Sequence, residues 1–128
     1  EGVDFVLKNF QRMHGGEIFV PKIPSVRVTD LASAMAPELE QHCVGIRPGE
    51  KLHEVMCPAD DSHLTIEFDD HYVIRPTITF ASRDVDFSRN ALGETGQPVS
   101  QGFEYSSGAN EHFLDAAGIR EYNYRAGL

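Results

Sequence analysis

Val3, Val6, Leu7, Phe10 and Met13 recur at steps of three and four residues. That spacing places them on one stripe of a helix and predicts an amphipathic helix over the opening segment EGVDFVLKNFQRMH. No Ser, Thr, Asp or Asn precedes it as a cap, so the chain is expected to start inside a helix, as a fragment of a longer sequence would. Gly15-Gly16 is expected to end the helix with a left-handed cap. EIFV, at 17–20, then reads as a short strand. Pro21 and Pro24 hold PKIP as an extended loop that cannot donate at those positions. Val26 and Val28 suggest a brief second strand, and Thr29 or Asp30 is placed to cap a short helix, LASAMA, closed by Pro37.

Further along, the apolar run CVGI at 43–46 predicts a buried strand that delivers the segment RPGEKLHEVM. Pro48-Gly49 signals a turn. Leu52, Val55 and Met56 would share one face of a short helix, although an extended reading is also open. HLTIEFDDHYVIRP, two strand-like runs either side of Asp69-Asp70, predicts a β-hairpin. The polar, glycine-containing stretch at about 82–102 reads as a long surface loop. FEYSSGANEHFL looks irregular around a Ser-Ser-Gly turn. Asp115 is placed to cap a last helix, AAGIREYNYRAG, with Ile119 and Tyr122 facing inward. There is no internal repeat. Short, mixed elements separated by loops predict an α+β class. The chain is expected to be a single domain, 1–128, with part of its core supplied by sequence outside it.

Composition narrows the partners. The 128 residues carry 11 basic and 20 acidic side chains, a formal charge of −9. Such a surface repels nucleic-acid backbones and anionic membranes, so neither partner is expected. Cys43 and Cys57 are too few for a disulfide framework. No apolar run approaches a membrane span, and the N-terminus has no basic-then-apolar leader. The reading is a cytoplasmic protein with two reduced thiols.

Candidate chemistry concentrates in Gly45-Ile46-Arg47-Pro48-Gly49-Glu50. Arg47 offers a planar fork of donors suited to phosphate oxygens, and the Glu50 carboxylate could accept the hydroxyls of a ribose. On the residues alone, a surface turn closed by an Arg–Glu ion pair explains the segment better, since such pairs are common and weak. His63, Asp69, Asp70 and His71 could meet across the hairpin, but no H-x-x-x-H or C-x-x-C spacing supports a metal, and none is expected. Asp60-Asp61 and Asp69-Asp70 are explained by turn chemistry. Cys43 is expected to be a buried structural thiol.

Four segments, GGEIFVPKIPSVRVTDLA, VGIRPGEKLHEVM, EFDDHYVIRPTITF and FEYSSGANEHFL, closely resemble the C-terminal portion of the inverting UDP-N-acetylglucosamine 4,6-dehydratases. These belong to the extended short-chain dehydrogenase/reductase superfamily. The resemblance covers the chain from Glu1 to about Leu114. It implies a small substrate-binding lobe, cut from a Rossmann-like NAD(P)-binding half that is largely absent here. The full-length enzyme would use NADP to make a 4-keto-6-deoxy UDP-sugar, inverted at C5, for pseudaminic acid or related flagellar and surface glycans. It would form a homo-oligomer.

Carried over by position, Arg47 is the phosphate ligand and Glu50 a ribose ligand. Asn110 and Glu111 are further substrate-binding candidates, on a stretch expected to fold back near the site. Lys22 is a weaker one, better explained as a solvated lysine. The chain has no G-x-x-G-x-x-G, and none of its tyrosines is followed four residues later by Lys. Catalytic residues and NADP binding are therefore expected outside it, and the chain alone is expected to be inactive. A retaining dehydratase, an epimerase, or a non-catalytic binding or oligomerisation module are the alternatives.

Overall fold

The computed structural model describes residues 2–78 and 85–127. In chain order its elements are α1 (Gly2–Arg12), β1 (Ile18–Pro21), β2 (Ser25–Val26), α2 (Val28–Met35), β3 (Val55–Cys57), a 3₁₀ helix (Ala59–Leu64), β4 (Thr65–Glu67), β5 (His71–Ile74), β6 (Gln97–Pro98), β7 (Tyr105–Ser106), β8 (Phe113–Leu114) and α3 (Ala116–Ala126). The class is α+β. The chain divides into two compact units, one of Glu1–Lys22 with Val55–Tyr105, the other of Ile23–Glu54 with Ser106–Leu128.

The first unit is organised by a four-stranded antiparallel sheet in the order β1-β5-β4-β6. The expected hairpin is its centre: β4 and β5 pair with Ile66 opposite Val73, and the Phe68 N–H donates to the His71 carbonyl at 2.9 Å to close the Asp69-Asp70 turn. All four residues of β5 are buried. Alternation sends Tyr72 and Ile74 to one side, where they pack with Val20, Cys57 and Tyr105, while Val73 joins Ile66 and Phe68 on the other. Pro21 and Pro98 lie in the two outer strands, where a missing N–H is tolerated.

The opening helix forms as its spacing predicts, yet it turns the other way. Asn9 and Arg12 are its buried residues, whereas Val3 is 73% exposed and Phe10 67%. The reason is electrostatic. Arg12 reaches carboxylates at 70 and 94, and that network holds the polar face of α1 against the hairpin. The helix stops at Arg12, ahead of Gly15 and Gly16, whose φ angles of 128° and 89° belong to the turn that follows. Ser82, Arg83 and Asp84, the start of the expected 82–102 loop, lie outside the described residues. The remainder of that stretch carries an Arg89–Thr95 bridge and β6.

In the second unit, β2 and β8 pair in parallel and α2 packs with α3. Asp115 caps α3 as expected, its Oδ1 accepting from the Gly118 N–H at 2.7 Å. Ile119 is buried, but Tyr122 is exposed rather than inward-facing. Val28 begins α2 instead of extending β2, and Arg27 occupies the N-cap without a side-chain bond, so neither Thr29 nor Asp30 serves as the cap.

Candidate functional site

The CVGI run does not form a strand. Positions 37–56 are exposed throughout, with Val44 at 88% and Cys43 exposed, so this segment supplies no core. An apolar run of four has no fixed periodicity and cannot indicate whether anything covers it. The buried cysteine is Cys57, whose thiol burial pushes up to about 11, which makes it a poor nucleophile. Val55–Cys57 takes the extended alternative.

Within that exposed segment the RPGE turn is well formed. The Glu50 N–H donates to the Arg47 carbonyl at 3.1 Å, Pro48 takes the second position, and Gly49 the third with φ of 82°. Positive φ at the third position, after Pro, defines a type II turn, which a residue with a Cβ would strain. The Glu50 carboxylate folds across it, Oε2 accepting from the Arg47 N–H at 2.8 Å. The expected Arg–Glu side-chain pair is therefore not what closes the turn. The Arg47 guanidinium is exposed and makes no hydrogen bond or ion pair among the described residues, and Glu50 keeps its second oxygen.

The segment between Gln41 and Glu54 is tethered at both ends. Gln41 Nε2 donates to Ser33 Oγ at 2.8 Å and to the Thr29 carbonyl at 3.3 Å, both on α2. At the other end Glu54 and Ser107 exchange two bonds: the Ser107 N–H donates to the Glu54 carbonyl at 2.8 Å, and the Glu54 N–H donates to Ser107 Oγ at 3.0 Å. The Ser-Ser-Gly turn thus folds back onto the residues just beyond RPGE. Nothing in the one-dimensional pattern marks Ser107 for this role, because its partner lies 53 residues away.

The remaining candidates are committed elsewhere or stand open. Asn110 Nδ2 donates to the Ile23 carbonyl at 2.8 Å and to Ser25 Oγ at 3.0 Å, while its Oδ1 accepts from the His112 N–H at 3.0 Å. Glu111 is exposed. Lys22 is not simply solvated: its Nζ donates to Glu67 Oε1 at 2.8 Å and lies 5.0 Å above the Tyr72 ring. The Tyr72 hydroxyl is pushed up to about 12 by burial and by the Glu67 charge.

A charged network in the first unit escaped the pattern altogether. Arg12, 1% exposed, donates through Nη2 to both Asp70 oxygens, through Nε and Nη2 to Glu94, and through Nη1 to Asn9. His71 Nδ1 lies 2.6 Å from Asp70 Oδ1, and its ring stacks on Phe68 and Phe19. Burial would raise the Asp70 pKa, but bonds from His71 and Arg12 outweigh it and hold the carboxyl well below the usual range. His71 is lowered, mainly by burial. A cavity of about 290 Å³ opens beside Arg12, Asp70 and Glu94. His63 instead bonds the Asp60 carbonyl, and no cluster able to hold a metal occurs among the described residues. Nor is any described helix long and apolar enough to cross a membrane.

A profile described as polysaccharide biosynthesis protein matches residues 1–76, more than half of the sequence. The chain belongs to that family. It is 63% identical over 110 residues to a "UDP-N-acetylglucosamine 4,6-dehydratase (inverting)" of Campylobacter jejuni serotype O:2, with 86% of this chain covered. A second protein of the same name, from serotype O:23/36, is 60% identical over the same span. The chain spans about a third, 33%, of the length of each. Its fold also matches the X-ray structure of Pen from Bacillus thuringiensis, with a TM-score of 0.68 over 94% of this chain and 35% of that one, at 19% identity. At that identity the likeness concerns the fold alone.

Proposed function

We propose that this chain is the UDP-sugar-binding part of an inverting UDP-N-acetylglucosamine 4,6-dehydratase. The observation that carries the reading is Arg47: an exposed guanidinium, without a partner among the described residues, at the corner of a type II turn. A cation carried on a turn of defined shape, with no partner among the described residues, suits a diphosphate. Glu50, with one oxygen holding the turn, presents the other to ribose hydroxyls. In the Ser-Ser-Gly-x-Asn-Glu stretch, Glu111 is the exposed candidate ligand, and Asn110 holds the stretch in shape.

The intact protein would belong to the extended short-chain dehydrogenase/reductases, form a homo-oligomer in the cytoplasm and serve pseudaminic acid or flagellar glycan synthesis. NADP would supply hydride transfer between C4 and C6 of the sugar. The described residues do not fit that cofactor, since they include no strand, glycine-rich turn and helix in succession. No step through it is assigned to this chain, which on its own would be inactive.

The test is calorimetric titration of UDP-N-acetylglucosamine into the intact protein and its Arg47→Ala variant. Loss of a charge-assisted contact weakens binding by about tenfold or more. Equal affinity of the two proteins would remove Arg47 from the site, and failure of the intact protein to convert the sugar would remove the activity.

A further inference from the structure

Between the two anchors at Gln41 and Glu54, no side-chain hydrogen bond among the described residues ties the RPGE segment to the rest of its unit, and every residue in it is exposed. Its internal turn fixes its shape but not its position. Position must come from the ends, and the Glu54 end is the better built. Two hydrogen bonds in opposite directions join Glu54 to Ser107. Beside them Gly108 lies so close to His53 that a Cβ there would sit 2.7 Å from the ring's Cγ and 2.8 Å from Cδ2 and Nδ1. Cγ sits next to the backbone, so the ring could not move aside without a rotamer change or a shift of the chain. The turn carrying these residues is itself closed by the Ala109 N–H to the Ser106 carbonyl and braced by Asn110 against Ile23 and Ser25.

We infer that Ser107 and Gly108 are positioning residues: they clamp His53-Glu54 and thereby set where the Arg47 guanidinium stands for a nucleoside diphosphate. This rests on the reading of Arg47 as the diphosphate ligand and adds a role for two residues outside the proposed set of ligands. Ser107 acts by a hydroxyl that accepts from a backbone N–H, and Gly108 by having no side chain.

A double-mutant cycle in the intact protein, read by calorimetric affinity for UDP-N-acetylglucosamine, tests this. Ser107→Ala should weaken binding by about fivefold, the usual effect of one lost hydrogen bond, and Gly108→Ala by at least as much. Ser107→Thr, which keeps the hydroxyl, should restore it. In an Arg47→Ala background Ser107→Ala should add little, because residues acting through one contact are not additive. Full additivity, or unchanged affinity in Ser107→Ala while Arg47→Ala weakens binding, would overturn the clamp and leave the Arg47 reading intact. If Arg47→Ala binds as the parent does, the Arg47 reading itself falls. Thermal unfolding of each variant separates a folded protein with a displaced turn from an unfolded one.

Discussion

Arg12 and Glu94 meet as a two-pronged pair, Nε to Oε2 at 2.8 Å and Nη2 to Oε1 at 3.2 Å, across 82 positions of sequence. The guanidinium is buried while the carboxylate is 39% exposed, so the pair is desolvated on one side only. Arg12→Ala removes the buried charge and lets Asp70 and Glu94 rehydrate. The cost should be about 2–3 kcal/mol, below that of breaking a pair buried on both sides. Urea unfolding measures it, and a change under 1 kcal/mol would mean the network orders side chains without holding the helix.

The same network sets the response to acid. Asp70 and Glu94 are both held below the usual carboxylate range, Asp70 against its burial by bonds from His71 and Arg12, Glu94 by bonds from Arg12 and Asn90. A depressed carboxylate stabilises the fold above its unfolded pKa, about 4, and that stability is lost as pH falls through the folded value. His71 is also depressed, mainly by burial, so it too binds protons more readily when unfolded. Its contribution is present above about pH 6.5 and declines below it. The melting temperature should therefore fall in two stages on acidification, and His71→Gln should flatten the first. A wild-type profile flat from pH 7 to pH 5 would contradict this.

The two thiols should separate cleanly under alkylation. Cys43 is exposed, and Cys57 is fully buried with its thiol raised to about 11. Iodoacetamide at neutral pH should modify one cysteine in the native protein and the second only after denaturation. Peptide mapping would assign the fast site to Cys43; early modification of Cys57 would show that its cover opens readily.

Asp115 caps α3 with one hydrogen bond to the Gly118 N–H. Asp115→Ala should cost about 1 kcal/mol, and Asp115→Ser should recover most of it. Chemical denaturation of the three proteins compares them directly.

What could be read from the sequence follows from how local each signal is. The hairpin was legible because Ile66, Phe68 and Val73 alternate around a turn pair, and α3 because its cap adjoins it. The RPGE turn declared itself through Pro48 and Gly49. The orientation of α1 did not, since an apolar stripe gives a helix two faces without saying which one the fold claims, and Arg12 settled that through partners 58 and 82 residues away. CVGI misled for the same reason: hydrophobicity records a tendency to be covered, and here no described neighbour covers it.

The two outer strands of the sheet have a further consequence. The Lys22 N–H bonds inward to Asp70, and the Val99 N–H bonds inward to Thr65. Backbone donors alternate along a strand, so the preceding positions, Pro21 and Pro98, are ones at which each strand would offer an N–H to a newcomer. Neither can. Each margin thus lacks one outward donor, which disfavours strand addition at Pro21 and at Pro98, while Phe19 in β1 still points its N–H outward. The outward apolar stripe of α1 is a further surface on which to look for self-association.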